Sequence, residues 1–387
     1  MSTPTPTPKR ANVSDIFPLS ALQEGMLFHS LLDPESGVYT LQDCYRLRGE
    51  IDPTAFLAAW QRVVDAHPTL RTSFVWQTQR KPLQVVHAQV KVPAVFVDLC
   101  HLEPGAQETE IQALLASEAA RPFDLTRPPL IRFQLVKLAA DRYVFLRTFH
   151  HILMDAWSVA LTTVDFVQAY EALRVGREPT FTRARPYRDF VHWFGQRDPA
   201  LSKAFFARDL ARVDEPTRLP ARVAQRSERY AAAVLVDDVT TRMPAALSAQ
   251  LRDFCREQGL TLSTLFQATW ALILARYAGQ RDVLFGITVA GRPPGFAGVE
   301  SMVGLFINTL PLVASVTPDA VVLAWLHALQ QHNVELRDHE HTPLSDLTGL
   351  APFGSEQPLF DSLLVYENAP IDEALIHGRL SFAIERT

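Results

Sequence analysis

The residues with the most chemistry to offer lie in one short segment, Phe149-His150-His151-Ile152-Leu153-Met154-Asp155-Ala156-Trp157-Ser158. It holds two imidazoles and a carboxylate. An imidazole titrates near pH ~6.5, so it both takes and gives protons under neutral conditions. The run Arg142–His151 alternates like a strand, and successive strand side chains face opposite sides. The pattern predicts that His150 and His151 point opposite ways, so only one faces a given cavity. Asp155 follows in a tight connection. It can buttress an imidazole, as in the base-plus-orienter arrangement of acyl-transfer sites. It can equally form a structural ion pair with a distant arginine. The plain alternative for the whole segment is a packed histidine pair at a strand end, or an accidental metal contact.

The elements that must position this segment are legible from spacing. Ser20-Ala21-Leu22-Gln23 fits a capping box and opens a helix toward Leu32. Gly37 to Leu47 alternates like a strand. Asp52 and Pro53 make an N-cap and N1 pair for a helix through His67, with Phe56, Trp60, Val63 and Val64 on one face. Strands are predicted at Thr72–Gln77, Leu83–His87 and Ala94–Asp98, and a helix at Glu108–Ala119. Leu130–Leu138 and Arg142–His150 read as a hairpin. Ser158–Leu173 is an apolar helix stopped by Gly176. In the second half, a strand is predicted at Arg229–Asp237 and helices at Ala245–Glu257 and Leu262–Tyr277, the latter closed by Gly279. A strand at Asp282–Val289 leads to a Gly/Pro loop at Gly291–Gly298. Residues 319–338 read as a helix and Phe360–Tyr366 as a last strand. Residues 176–200, with Gly176, Pro179 and Pro186, read as a crossover between two lobes.

Composition excludes several classes. The 387 residues are 48 % hydrophobic and 20 % charged, which excludes a disordered chain. The net charge of −5 implies no general attraction to nucleic acid, and no basic run is interleaved with aromatics. The three cysteines, Cys44, Cys100 and Cys255, stand far apart. They form no zinc pattern, so no metal site is expected, and their low odd count points to a reducing, cytoplasmic compartment. The apolar runs are too short to span a bilayer, so no membrane is expected. MSTPTPTPKR has no apolar signal region, and residues 1–15 read as a flexible leader.

The histidine segment resembles the HHxxxDG signature of condensation domains from nonribosomal peptide synthetases, relatives of chloramphenicol acetyltransferase. Other strings resemble that family's motifs, in order. They are Pro18-Leu19-Ser20-Ala21-Leu22-Gln23-Glu24-Gly25-Met26-Leu27-Phe28-His29, then His67-Pro68-Thr69-Leu70-Arg71-Thr72-Ser73-Phe74. Next come Tyr187-Arg188-Asp189-Phe190-Val191-His192-Trp193 and Val303-Gly304-Leu305-Phe306-Ile307-Asn308-Thr309. His341-Thr342-Pro343-Leu344 and Pro358-Leu359-Phe360-Asp361 match more weakly. An ordered series over residues 18–361 is far more specific than any one string.

The resemblance implies an α+β fold of two pseudo-symmetric acetyltransferase-like lobes, arranged as a V around a central tunnel. The N-terminal lobe would span residues 16–178 and carry the motif as HHxxxDA; the C-terminal lobe would span 179–387. The implied reaction is attack of a carrier-bound acceptor aminoacyl amine on a carrier-bound donor acyl or peptidyl thioester. Substrates would ride on the 4′-phosphopantetheine of peptidyl carrier proteins beside an adenylation domain, with no cofactor bound by the domain itself. The resemblance puts the catalytic role on His151, as base or as positioner. His150 would be a packed support. Asp155 would pair with Arg292, whose plain alternative is an exposed loop charge. Ala156, Trp157 and Ser158 would belong to the substrate rim and helix cap. Asn308 would line the tunnel floor or satisfy a turn, and Arg71 would fix its own loop.

The chain departs from the family at Ala156, where Gly is usual, and at Ala66, where Arg is usual. It also stops at Thr387, short of the family's usual end, which reads as a partial C-terminal lobe. A dual condensation/epimerisation domain and a noncatalytic recruitment module are the competing readings. An epimerisation domain lacks support because no EGHGRE-like string is present.

Overall fold

A computed structural model describes residues 12–34, 37–77, 81–182, 184–219, 239–293, 295–367 and 381–385. The elements begin with β1 (Val13–Pro18), α1 (Ala21–Leu32), β2 (Thr40–Gly49), α2 (Pro53–Ala66), β3 (Thr72–Val75), β4 (Leu83–His87) and β5 (Ala94–Asp98). They continue with α3 (Pro104–Ala119), β6 (Ile131–Ala139), β7 (Arg142–His150), α4 (Ala156–Arg174), α5 (Tyr187–Gly195) and α6 (Pro199–Leu210). Then come α7 (Ala245–Glu257), α8 (Leu262–Ala278), β8 (Asp282–Val289), β9 (Asn308–Ser315), α9 (Val322–Arg337), β10 (Leu363–Leu364) and β11 (Phe382–Glu385).

Two compact units result, both mixing helix and strand in the expected α+β manner. The first comprises Met1–Gly195, Phe296–Phe306 and Asn368–Thr387; the second comprises Gln196–Gly295 and Ile307–Glu367. This differs from the single cut near residue 178 read from sequence, for a packing reason. Phe296, Val299, Met302 and Phe306 bury themselves with Phe17, Val86, Tyr187, Phe190 and Val191, so the chain re-enters the first unit. β11 also returns to it, pairing antiparallel with β2 from Phe382↔Gly49 to Glu385↔Arg46. Gly49 has φ 137°, and an added Cβ would stand 2.8 Å from the Phe382 Cα, so only glycine lets the two strands approach.

In the first unit a five-stranded sheet runs β11-β2-β7-β6-β5, and a smaller one runs β1-β4-β3. β7 lies central, between β2 (Thr40↔His150) and β6 (Ile131↔Phe149). Its buried Val144, Leu146 and Phe149 show that both faces are covered, as a central strand requires. Trp60 of α2 anchors the helix layer, stacked 4.5 Å from Phe133 of β6 and 4.5 Å from Phe166 of α4. In the second unit the sheet order is β10-β8-β9. A Cβ at Gly286 of β8 would run into the Phe360 ring, which fixes that residue as glycine.

Several expectations change. β1 already begins at Val13, inside the predicted leader, and pairs with β4 at Val13↔His87. The predicted crossover contains α5 and the start of α6. Pro186 precedes α5, whose Tyr187, Phe190 and Val191 make one buried stripe. Pro199 is the first residue of α6, with Asp198 as its cap. The strand predicted at Phe360–Tyr366 shrinks to Leu363–Leu364, parallel to β8. The strand predicted at Arg229–Asp237 lies outside the described residues.

Candidate active site

β7 ends at His150, and His151–Leu153 form a 3-10 turn before α4. His151 therefore leaves the strand, and strand alternation does not decide where it points. Asp155 is the N-cap of α4 and is 1 % exposed. Its Oδ1 accepts from the Ser158 N–H at 2.8 Å and its Oδ2 from the Phe306 N–H at 3.0 Å. The cap is thus Asp155 and not Ser158, correcting the sequence reading. Ser158 is fully buried in the first turn. Its hydroxyl donates to the Gly304 carbonyl at 2.7 Å and accepts from the Gly304 N–H at 3.0 Å.

The two imidazoles sit in different surroundings, and each hydrogen bond fixes a tautomer. His151 Nδ1 lies 2.9 Å from the Met154 carbonyl. A carbonyl only accepts, so Nδ1 carries the proton and Nε2 carries the lone pair. The His151 backbone N–H donates to the Tyr39 carbonyl at 2.8 Å. His150 is reversed. Its Nδ1 accepts from the Ile152 N–H at 3.2 Å, so Nε2 bears the hydrogen. Burial, aided by the neighbouring His151, lowers its pKa to about 4. A ring held neutral and already capping a turn is a poor proton acceptor at neutral pH.

The motifs that are scattered in sequence meet through side chains that bond to another segment's backbone. Gln23 of α1, held in its capping box with Ser20, donates to the Ile152 carbonyl at 3.0 Å. Thr69 donates to the Val303 carbonyl at 2.8 Å. The Tyr187 hydroxyl donates to the Leu305 carbonyl at 2.5 Å. A Cβ at Gly304 would meet the Tyr187 ring, with Cε2 at 2.7 Å and Cγ at 2.9 Å. Phe306 packs edge-on against Tyr187 at 5.1 Å. The string around Gly304 is therefore a backbone rail to which three other motifs are tied.

His150, His151, Asp155, Ala156, Trp157 and Ser158 all belong to the first unit, while Arg292 and Asn308 belong to the second. Trp157 donates its indole N–H to the Glu300 carbonyl at 2.9 Å. Ala156 is the first residue of α4. Among the described residues, only Tyr39 has positive φ without being glycine, so Ala156 carries no such strain. Arg292 is half-buried and follows Gly291, whose φ is 62°. The Asn308 amide donates to the Glu340 and Thr342 carbonyls at 2.9 and 2.7 Å, so it satisfies a turn. Arg71 donates to the carbonyls of Val64, His87 and Ala88, and burial lowers its pKa. Sequence reasoning left Tyr39 and Gly304 out of the site. The signal for Gly304 was its place in the Val303–Thr309 string; Tyr39 gave none.

Among the described residues, no group of three or more His, Cys, Asp or Glu side chains gathers as a metal site needs. No described helix is long and apolar enough to cross a membrane.

A family model described as Condensation domain matches residues 13–381. One of the linear gramicidin synthase proteins of Brevibacillus parabrevis is 40 % identical over 367 residues, covering 94 % of this chain and 5 % of that protein. Surfactin synthase subunit 2 of Bacillus subtilis (strain 168) is 32 % identical over 380 residues, covering 97 % of this chain and 10 % of that protein. The chain therefore spans a small part of these relatives. Among solved structures, the first condensation domain of the CDA synthetase has a TM-score of 0.71 at 21 % identity, covering 91 % of this chain and 82 % of that one. The starter condensation domain of rhizomide synthetase has a TM-score of 0.72 at 23 % identity, covering 90 % and 78 %. These structural likenesses show the fold. The family match runs over nearly all the described elements, including the β7–α4 turn and the Gly304 rail, and the chain belongs to the condensation-domain family of nonribosomal peptide synthetases.

Proposed function

We propose that this chain joins a carrier-bound acceptor aminoacyl amine to a carrier-bound donor acyl or peptidyl thioester. The amine nitrogen attacks the thioester carbonyl, a C–N bond forms, the C–S bond breaks, and the amine proton ends on the departing thiol. An α-amine with a pKa near ~8 is appreciably neutral at cytoplasmic pH, and a thioester is already reactive. Holding the two tethered ends in line therefore supplies much of the acceleration. His151 receives or orients the amine proton at Nε2. The observation that carries this reading is the 2.9 Å contact of His151 Nδ1 with the Met154 carbonyl, which leaves Nε2 as the basic nitrogen. His150 supports the turn. Asp155, Ala156, Trp157, Ser158, Arg292 and Asn308 keep supporting or substrate-adjacent roles in this proposal.

The substrates ride on 4′-phosphopantetheine of donor and acceptor carrier proteins, with an adenylation domain in the same assembly, and the reaction takes place in the cytoplasm. The test uses acyl-loaded donor and acceptor carriers with mass-spectrometric detection of the amide. The parent forms product. His151→Ala stays folded and loses about 10²-fold or more in rate, the usual scale for an acid–base group. Equal rates for His151→Ala and the parent would falsify the catalytic assignment, and no product from any loaded pair would favour a recruitment module. A double-mutant cycle on Asp155 and Arg292 tests the pairing named by the resemblance: additive stability losses count against it.

A further inference from the structure

Two glutamines that the proposed reaction leaves unused lie fully buried in the first unit, Gln23 on α1 and Gln84 on β4. Burying a carboxamide is costly unless its polar atoms are paired. Here they pair with each other and with backbone. Gln84 Nε2 donates to the Pro18 carbonyl at 2.9 Å and to Gln23 Oε1 at 2.9 Å. Gln23 Oε1 also accepts from the Ser20 N–H at 3.0 Å, and Gln23 Nε2 donates to the Ile152 carbonyl at 3.0 Å. A longer contact of 3.5 Å joins Gln23 Nε2 to Gln84 Oε1. A carbonyl only accepts and a backbone N–H only donates, so the direction of both amides is fixed. The pair makes a chain of hydrogen bonds from the end of β1 to the turn after β7.

The cap of α1 does not account for this chain. A capping box takes glutamate as readily as glutamine, because it needs only an acceptor for the Ser20 N–H. The tie to Ile152 needs a donor. A carboxamide accepts from the cap and donates to the turn at once, which an ionised glutamate or a lysine cannot do. What the tie holds is the backbone beside His151. Ile152 follows His151 in the 3-10 turn His151–Leu153. His150 Nδ1 holds its N–H at 3.2 Å and Gln23 holds its carbonyl, so the peptide units on both sides of Ile152 are fixed. Two residues on, the Met154 carbonyl receives the His151 Nδ1 hydrogen at 2.9 Å. The path of the turn sets where that carbonyl stands, and the carbonyl sets the tautomer and direction of the ring.

We propose that Gln23, braced by Gln84, is a positioning residue that holds the His151–Met154 turn in the geometry presenting His151 Nε2 as the unprotonated nitrogen; its bearing on rate rests on the amide-forming reading above.

The experiment reads ring-nitrogen resonances in histidine-labelled chain, in mildly alkaline solution and without substrate. Gln23→Met and Gln84→Met each remove a link of the chain. Ser20→Ala removes only the hydroxyl that caps the Gln23 N–H and leaves both amides in place. The His151 signals, assigned by their loss in His151→Ala, are expected to show the single Nδ1–H tautomer in the parent and in Ser20→Ala. In Gln23→Met the Nε2–H tautomer is expected to appear beside it, and to a smaller extent in Gln84→Met. A single tautomer in folded Gln23→Met overturns the proposal, because the buried Ile152 and Leu153 would then hold the turn by packing alone. If Gln23→Met does not fold, Gln84→Met, whose side chain bonds to no atom of the turn, decides in the same way. Mixed tautomers in Ser20→Ala also overturn it, since the effect would then belong to the α1 cap. With loaded carriers, Gln23→Met is expected to lower kcat about tenfold or more while KM for either thioester changes less than about twofold, the pattern of a displaced reacting group. Mixed tautomers with an unchanged rate keep the tie and overturn the role of His151 in the reaction instead.

Discussion

Asp155 in the first unit and Glu340 in the second are both buried carboxyl groups, 1 % and 7 % exposed; Asp155 stands at the turn of the histidine motif and Glu340 at the turn directly before the His341–Leu344 string. Their surroundings differ. Asp155 caps the N-terminus of α4, where the helix dipole favours negative charge, and it accepts two backbone N–H groups. Glu340 lies just past the C-terminus of α9, where the dipole disfavours an anion. Burial pushes its pKa up to about 7, against the pull of Arg337 and of a hydrogen bond from the Gly291 N–H, while Asp338 adds to the rise. The first turn is thus organised around an acceptor with fixed donors. The second holds a carboxyl close to balance between charged and neutral forms near pH 7.

The largest expected effect breaks the comparison at Asp155. Asp155→Ala strands the buried N–H groups of Ser158 and Phe306, at about 1–3 kcal/mol each. Urea denaturation should show a loss of several kcal/mol, with a smaller loss for Asp155→Asn, which keeps one acceptor oxygen. Glu340→Gln keeps shape and an acceptor, and should cost under about 1 kcal/mol. Equal losses at the two positions would mean that the caps are not what distinguishes them.

The pH dependence sharpens the same contrast, because the signs are opposite. Glu340 binds its proton more tightly folded than unfolded. Its stabilisation is complete below its ordinary pKa of 4.5 and is lost as pH rises toward about 7. His150 binds its proton less tightly when folded. Its contribution is complete above its ordinary 6.5 and is lost as pH falls toward about 4. Each spans on the order of 3 kcal/mol. Burial also lowers the pKa values of His87, His339 and His341, which carry the His150 sign. The decisive quantities are therefore differences between the parent and His150→Gln or Glu340→Gln, measured by denaturation from pH 4 to 8. A Glu340→Gln curve parallel to the parent between pH 4.5 and 7 would show that this carboxyl does not take up its proton on folding.

A smaller effect is expected at the rail. Gly304→Ala forces its methyl into the Tyr187 ring, and overpacking of this kind costs about 1–3 kcal/mol. Since the Gly304 carbonyl anchors Ser158, the variant should also slow amide formation. Unchanged melting and unchanged rate would show that Tyr187 moves aside freely.

What could be read in advance follows from how local the cause was. The Ser20–Gln23 capping box, the Asp52–Pro53 start of α2 and the Gly279 stop of α8 at φ 70° were legible because each depends on adjacent residues. The histidine segment was legible as chemistry for the same reason. Its fastening was not, because Gln23, Thr69 and Tyr187 reach backbone carbonyls far along the chain. α5 hid behind Pro186, read as a breaker when it stands at a helix start. Ser158 was a plausible cap by residue type; only the folded chain shows its hydroxyl committed to Gly304. The positive φ of Tyr39 left no trace in composition, since the partner of its carbonyl, the His151 N–H, lies far along the chain.

The smallest expected effect concerns Ala156, where the family usually has glycine. A glycine there would be required if φ were positive, and Ala156 opens α4 without positive φ. The methyl therefore carries no backbone strain. Ala156→Gly should lower stability by less than about 1 kcal/mol, since glycine in a helix costs at most that and less at its first residue. Any kinetic consequence must be steric. The residue is half-buried, directly after the Asp155 cap and five residues after His151. If the acceptor approaches this turn, removing the methyl should raise turnover of bulky acceptors while leaving donor discrimination nearly unchanged. Rates measured for Ala156→Gly and the parent with small and large acceptor thioesters decide it. Identical rates for every acceptor would place the substrate's path away from the α4 N-terminus and leave Asp155 as a wholly structural anchor of the turn.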